Sequence, residues 1–119
     1  MVAGDKSIDN GDWLFAEATV VRVWTTEIDT ARADEYDEFV ETTSVPMFQR
    51  QAGFVAALFC GEGHVRVVMT FWRDRAAVDA LSASETYRET VSEIQLAGFL
   101  QGSQTTEVFD LHSHTVRSQ

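Results

Sequence analysis

The chain has 119 residues, of which 45% are apolar and 11% aromatic, and its 19 acidic and 9 basic residues give a formal net charge of −10. This length suits one domain with one modest core, and the composition is that of a folded chain rather than a disordered one. The acidic excess argues against nucleic acid or an anionic membrane as a partner, because binding phosphate groups needs a basic surface.

The sequence contains no apolar run of membrane-spanning length and no basic segment followed by an apolar one near its start. We therefore expect a soluble, cytoplasmic protein. We predict one domain over residues 16–112, a flexible N-terminal tail over 1–15 and a polar C-terminal tail over 113–119. The single cysteine, Cys60, ends an apolar run, which favours a buried packing thiol over a nucleophile.

The first half of the domain predicts a strand followed by a helix. Residues 18–26 are β-branched and aromatic, as in strands, and Asp29 or Thr30 is a candidate N-cap for the helix that follows. Pro46 is expected to kink or restart this helix because proline lacks an amide hydrogen, and Gly53 is expected to end it. The apolar stripe at helical spacing consists of Tyr36, Phe39, Val40, Thr43 and Met47.

Two further strands are predicted over residues 54–60 and 64–72, joined by the glycine-rich hairpin at 61–63. The third strand is apolar on both faces. One face carries Val65, Val67, Met69 and Phe71, and the other carries Val68 and Trp72. A strand of this kind is expected to be buried on both sides.

A second helical region opens at Asp74 or Arg75 and is expected to break near residues 82–84. Its stripe consists of Val78, Leu81, Tyr87, Val91 and Ile94. Residues 98–102 end it, and residues 105–112 predict the last strand.

The order β-α-β-β-α-β predicts an α+β, ferredoxin-like fold, in which both helices cover one face of a four-stranded antiparallel sheet. The helices cover only one face of the sheet, yet the third strand is apolar on both faces. This predicts a homodimer formed through the other sheet face. Arg22 and Trp24 alternate with Val21 and Val23. We expect Arg22 and Trp24 inside that dimer interface or at its rim, where Arg22 would need an acidic partner.

Three segments resemble the antibiotic-biosynthesis monooxygenase family: VPMFQRQAGFVAAL at 45–58, VRVVMTFW at 65–72 and RDRAAVDALSASETYRETV at 73–91. The resemblance spans about residues 18–112. It implies a dimeric αβ-barrel with a pocket between the helices and the sheet of each subunit. It also implies oxidation of a phenolic or quinol-like compound without metal or flavin, so we expect no cofactor and no metal site.

One branch of the resembling family degrades haem. That branch carries an asparagine on the first strand, a tryptophan at the end of the third and a histidine on the second helix. Trp72 matches the tryptophan, but the only asparagine is Asn10, and Val91 stands where the histidine would be. Without this histidine the haem iron would lack its proximal ligand, so haem degradation is not expected.

Within the implied pocket, Trp72 and Tyr36 are the candidate catalytic residues, because each combines an apolar ring with one hydrogen-bond donor. Both have an alternative interpretation as core aromatic residues. The candidate substrate-binding residues are Thr70, Arg66, Tyr87, Val91 and Phe39. Tyr87 could also be a core residue, and Arg66 an exposed arginine paired with a surface acid.

The sequence thus predicts a cofactor-independent monooxygenase acting on a small aromatic substrate. The alternative is a non-catalytic dimeric αβ-barrel that binds a small ligand.

Overall fold

The structure is a computed structural model that describes residues 17–117. The tail predicted over residues 1–15 lies outside the described residues. Of the predicted C-terminal tail, residues 113–117 are described and form no helix or strand. No helix within residues 17–117 is long and apolar enough to cross a membrane.

Four strands form one antiparallel sheet. They are β1 (Val20–Ile28), β2 (Phe54–Glu62), β3 (Val65–Trp72) and β4 (Leu100–Asp110), and their order in the sheet is β2-β3-β1-β4. Strands β1 and β3 therefore lie at the centre of the sheet. β1 is hydrogen-bonded to β3 and β4, and β3 is hydrogen-bonded to β1 and β2. The predicted α+β, ferredoxin-like fold is confirmed.

The last strand begins at Leu100, earlier than the predicted Thr105, and ends at Asp110 rather than His112. Its early part contains Gly102, whose positive φ of 66° is typical of a bulge. The pairing of β1 with β4 shifts its register in this region, between Thr25 and Glu27. The sequence prediction missed this part of the strand because the glycine-rich segment was interpreted as a turn.

The first helical segment consists of four short pieces. A 3₁₀ turn (Thr30–Arg32) precedes α1 (Ala33–Phe39), a π-helical turn (Val40–Ser44) and α2 (Val45–Gln49). Pro46 lies in the first turn of α2, a position that tolerates a residue without an N–H. The widened turn ends just before it, with the N–H of Val45 donating to the carbonyl of Val40.

Gly53 ends the connection from α2 to β2 with a φ of 82°. A Cβ atom at this position would overlap the Cβ of Ala77 on the next helical segment. The carbonyl of Gly53 also accepts a hydrogen bond of 2.8 Å from the N–H of Arg73. The glycine therefore provides both the left-handed backbone and the close approach of two segments.

The second helical region is interrupted as predicted, giving α3 (Arg75–Ala83) and α4 (Glu85–Ala97). Asp74 caps α3 by accepting from the N–H of Ala77, and Ser84 caps α4 by accepting from the N–H of Tyr87. Gly98 ends α4 in the left-handed conformation, with a φ of 84°.

The helices cover one face of the sheet. A core of buried residues from β1, β3 and the helices fills this side, namely Val20, Met47, Phe48, Val68, Trp72, Val78 and Leu81. A second cluster under α1 and α4 contains Ile28, Tyr36, Val40, Ile94 and Phe99. A cavity lies between the elements that carry these two clusters.

The opposite face of the sheet carries apolar side chains that no helix of residues 17–117 covers. Val21 and Phe71 are buried there with Ala18, while Leu58 is 51% exposed and Phe109 is 49% exposed. Cys60, predicted to be a buried thiol, is exposed instead. It lies near the hairpin end of β2, which is an edge strand and has a neighbour on one side only.

Candidate functional site

A cavity of about 110 Å³ lies between the sheet and the helices. Most of its wall is apolar, formed by Trp24, Val40, Met47, Phe48, Phe59, Val68, Val91 and Ile94. Its polar wall is formed by Arg22, Tyr36, Ser44, Tyr87, Thr90 and Gln95. A mostly apolar cavity with a few polar groups is typical of small-molecule sites.

Arg22 on β1 provides the cation of this cavity. The residue is only 7% exposed, and its Nη2 donates a hydrogen bond of 2.8 Å to the hydroxyl oxygen of Tyr87 on α4. The guanidinium carbon lies 5.5 Å from the centroid of the Tyr87 ring, a distance that suits a cation–π contact.

The position of Arg22 differs from the expectation that it lies in a dimer interface with an acidic partner. Arg22 pairs directly with Thr70 on β3, and directly opposed residues of a sheet point to the same face. Thr70 is on the same face as Trp72, two residues later, which packs under the helices. Arg22 therefore faces the helices, and its partner is a phenol instead of a carboxylate.

Tyr36 on α1 is one of the residues that line the cavity. Its ring is 3% exposed and packs edge-on against Phe99 at 5.9 Å between centroids. Within residues 17–117 the hydroxyl has no hydrogen-bond partner. No fully buried side-chain oxygen or nitrogen of these residues lacks one, so the oxygen is not sealed in the core, and Tyr36 lines both the cavity and the groove beside it.

Burial raises the pKa of Tyr36 to about 12, and the nearby positive charge of Arg66 only partly opposes this effect. The phenol is therefore protonated at neutral pH. It can donate a hydrogen bond to a substrate oxygen, but it is a poor base.

The π-helical turn places a second hydroxyl in the wall. Ser44 is 8% exposed and lines the cavity, and its hydroxyl has no partner in the described part of the chain. Such widened turns occur frequently at functional sites. The sequence analysis missed Ser44. The one available signal was Pro46, which indicated an irregular helix but not which side chain the irregularity would turn inward.

Trp72 does not line the cavity. The residue is 0% exposed, its indole N–H donates to the Thr70 hydroxyl at 2.8 Å, and its ring packs against Phe48 and Phe54. Thr70 is also 0% exposed and lies outside the cavity wall. The expected geometry, in which the indole N–H points into a pocket, is therefore not found, because the neighbouring threonine already accepts that hydrogen.

The other predicted substrate-binding residues are divided between several places. Tyr87 and Val91 line the cavity. Phe39 does not, because its ring packs against Phe99 at 6.0 Å between centroids. Arg66 lies outside the cavity, where it donates to the carbonyls of Gly63 and Val65 and lies 5.8 Å from the Tyr36 ring centroid.

Arg66 belongs to an open groove of about 560 Å³ between α1 and the β2–β3 hairpin. Tyr36, Val40 and Phe59 line both this groove and the cavity, so the two spaces are adjacent. The rim of the groove is mostly acidic, with Asp37, Glu41 and Glu62 against the single cation Arg66.

The titratable side chains that line the inner cavity are an arginine and two tyrosines, with no histidine or carboxylate among the described lining residues. Across residues 17–117, no group of three or more histidine, cysteine or acidic side chains is placed to hold a metal ion. Val91, where the resembling haem-degrading enzymes carry their histidine, contributes an aliphatic side chain to the wall.

The chain matches no family model and no curated protein. Its fold does match solved structures. One is a monooxygenase from the gene ActVA-Orf6 of Streptomyces coelicolor, solved in complex with nanaomycin D. Its TM-score is 0.75 at 17% identity, covering 87% of this chain and 96% of that chain.

SnoaB from Streptomyces nogalater, described as a cofactor-independent oxygenase, matches with a TM-score of 0.67 at 19% identity, covering 82% of this chain and 96% of that chain. A protein from Caulobacter crescentus, to which the name antibiotic biosynthesis monooxygenase is provisionally assigned, matches with a TM-score of 0.69 at 13% identity. The match covers 82% of this chain and 92% of that chain. The resemblance to antibiotic-biosynthesis monooxygenases is thus confirmed at the level of the fold, which this chain shares with them.

Proposed function

We propose that this protein is a cofactor-independent monooxygenase of the antibiotic-biosynthesis kind, located in the cytoplasm, that acts on a phenolic or quinol-like small molecule. The observation that carries the proposal is the cavity between helices and sheet, with apolar walls and hydrogen-bond donors from Tyr36, Ser44 and Arg22. The shared fold supports it by analogy only, since one fold can host many functions.

The proposed reaction needs no reductant other than the substrate. A quinol supplies four electrons to one molecule of oxygen and gives a hydroxyquinone and water. One oxygen atom forms a new bond to a ring carbon, the O–O bond breaks, and the second oxygen atom leaves as water with two hydrogens of the quinol. Loss of a phenolic proton starts the reaction, because the anion gives up an electron more readily than the neutral quinol.

The chain would contribute positioning and electrostatics. The apolar walls hold the ring and keep water away from it, while Tyr36 donates its hydroxyl hydrogen to a substrate oxygen. With its pKa raised to about 12, Tyr36 would act as a donor and not as the base that takes the phenolic proton. That proton would leave towards water through the adjacent groove.

We also propose that the working form is a homodimer joined through the open sheet face. The support is a third strand with apolar side chains on both sides, and exposed apolar groups such as Leu58 and Phe109 on the face without helices. A second copy of the same face would cover these groups with a surface of matching character.

Oxygen uptake with a panel of quinols tests the proposed activity. Replacing Tyr36 by Phe removes one hydroxyl and almost no volume, so we expect turnover to fall on the order of ten- to a thousandfold while the fold is kept. Arg88→Gln, on the exposed side of α4, is the control and should turn over normally. Normal turnover by the Tyr36→Phe variant would contradict this role, and no uptake with any quinol would contradict the activity.

The alternative is a non-catalytic protein that binds a small ligand in the same cavity. One observation favours it: the described wall of the inner cavity contains no carboxylate or histidine that could serve as a base. Such a protein would bind a phenol stoichiometrically and leave both the phenol and dissolved oxygen unchanged.

A further inference from the structure

We propose that Arg22 binds the ionised oxygen of the substrate, and that the cavity selects aromatic molecules which arrive as neutral phenols or enols and lose their proton inside. This inference rests on the proposed function, because it assigns the substrate class of the same cavity. Arg22 would be a binding residue and Tyr87 a positioning residue.

The first observation is an incomplete set of partners around a buried charge. A guanidinium has five N–H groups, yet within residues 17–117 Arg22 makes a single side-chain hydrogen bond, from Nη2 to Tyr87. No fully buried side-chain nitrogen of these residues lacks a partner, so Nε and Nη1 are not sealed in the core and must open onto the cavity.

The second observation is that no carboxylate neutralises this charge. None of the ion pairs among the described residues involves Arg22, although the chain as a whole is strongly acidic. A buried charge without an opposite partner is costly, and an anion that binds beside it would remove that cost. The guanidinium would thus stabilise an anionic oxygen that binds beside it in the cavity.

Tyr87 holds the guanidinium in place from the helix side. Its oxygen accepts from Nη2 at 2.8 Å, and its ring lies under the guanidinium carbon at 5.5 Å. Since the phenol oxygen already accepts this hydrogen, its own O–H remains able to donate. The elements packed around Arg22 present it with Tyr87 from α4, and the strand residues paired with it, Thr70 and Val108, do not titrate.

The dimensions indicate how a substrate would lie. A cavity of about 150 Å³ accommodates benzene, so the 110 Å³ here suits little more than one ring. A larger molecule must therefore extend past Tyr36, Val40 and Phe59 into the adjacent groove of about 560 Å³. The ring with the ionisable oxygen would occupy the inner end beside Arg22, and the remainder would occupy the groove.

The charge at the rim indicates in which form the substrate arrives. Asp37, Glu41 and Glu62 outnumber Arg66 along the groove, so a permanently anionic molecule such as a carboxylate would meet net repulsion before reaching Arg22. A phenol is neutral in solution near pH 7 and passes this rim without that cost. The arrangement therefore favours ionisable hydroxyl groups over carboxylates.

Binding of a nitrophenol tests the inference, since its ionised form is coloured and reports its own protonation. With the wild-type chain we expect the bound nitrophenol to ionise at a lower pH than the free compound. Arg22→Gln should bind the ionised form on the order of ten- to a hundredfold more weakly, which is the range for a hydrogen bond to a charged group. Arg88→Gln, on exposed α4 surface, is the matched control and should bind as wild type does.

A second variant keeps the test decisive if Arg22→Gln does not fold. Arg22→Lys retains the charge and should retain the downward shift in the ionisation of the bound nitrophenol, although with weaker binding because lysine lacks the planar set of donors. Benzoate tests the preference for hydroxyl groups and should bind more weakly than nitrophenol in the wild-type chain. Tighter binding of benzoate, unchanged nitrophenol ionisation on binding, or equal affinities for wild type and Arg22→Gln would each overturn the inference.

These measurements separate this inference from the proposed activity because they are made at equilibrium, without turnover. Ionised nitrophenol bound through Arg22, together with no oxygen uptake from any quinol, would refute the monooxygenase and leave the oxyanion site standing. Quinol turnover by Arg22→Gln with unchanged KM and pH profile would refute the oxyanion site and leave the monooxygenase standing.

Discussion

Replacing Tyr36 by Phe should change how the stability of the fold depends on alkaline pH. The side chain is 3% exposed, and burial raises its pKa to about 12. In the unfolded chain the same phenol ionises near its ordinary pKa of about 10. The folded state therefore holds a proton that the unfolded state has lost over the interval between these two values.

The sign follows from this difference in bound protons. Below about pH 10 the phenol is protonated in both states, so its contribution to the free energy of unfolding is fully present. As the pH rises towards about 12, ionisation stabilises the unfolded chain alone, and stability falls by about 1.4 kcal/mol for each pH unit. The total loss is bounded by the distance between the two pKa values, which is about two units or roughly 2.7 kcal/mol.

Urea unfolding of the wild-type chain and of Tyr36→Phe at pH 8, 10 and 11 (about one unit beyond the ordinary tyrosine pKa) measures this loss. Other groups titrate alike in both chains and cancel in the difference. We expect the wild type to lose about 1 kcal/mol relative to Tyr36→Phe between the last two conditions. Parallel losses in both chains would show that Tyr36 ionises in the folded state as readily as in the unfolded one, and would refute the argument that it remains a donor.

Two further predictions concern the assembly and the backbone. Leu58→Asp places a charge on the open sheet face at a position 51% exposed in the single chain, so it should convert a dimer into a folded monomer in sedimentation at micromolar concentration. Leu96→Asp, at an 85% exposed position on α4, should leave the dimer intact, and a wild-type monomer would refute the interface. Gly53→Ala should destabilise the fold by about 2–4 kcal/mol in urea unfolding, from a positive φ and a steric overlap together. Gly63→Ala, with a positive φ but open space around it, should lose only about 1 kcal/mol, and equal losses would contradict the overlap.

The order and type of the elements could be predicted because the signals for them are local. A run rich in β-branched and aromatic residues marks β3, and the spacing of Val78 and Leu81 marks a helix. Asp74 and Ser84 are cap residues at the points where α3 and α4 begin. The start of β4 could not be predicted in the same way. Gly102 is typical of a turn when considered alone, and only the pairing with β1 makes it part of a strand.

The composition of the site depended on information that is not local. Tyr36 follows from helical periodicity, which needs only its neighbours in the chain. The direction of Arg22 depends on which residue of β3 it pairs with, and β3 lies more than forty residues further along the sequence. Trp72 posed a different problem: its position facing the helices was correctly expected, but a buried indole bonds whichever acceptor is nearest, and here that is Thr70.

Thr70 determines which side chains near the cavity are able to bind a ligand, because it contacts Trp72 and pairs with Arg22. Thr70 lies between them and accepts the indole hydrogen, which removes the tryptophan as a donor to any ligand. The same threonine is neutral and offers Arg22 no counter-charge across the β1–β3 pair. A carboxylate at position 70 would neutralise the guanidinium and close the site to anions, whereas the hydroxyl leaves Tyr87 as the only described side-chain partner. Arg22, Tyr36 and Ser44 are therefore among the donors that line the cavity, whereas the tryptophan contributes packing in the core.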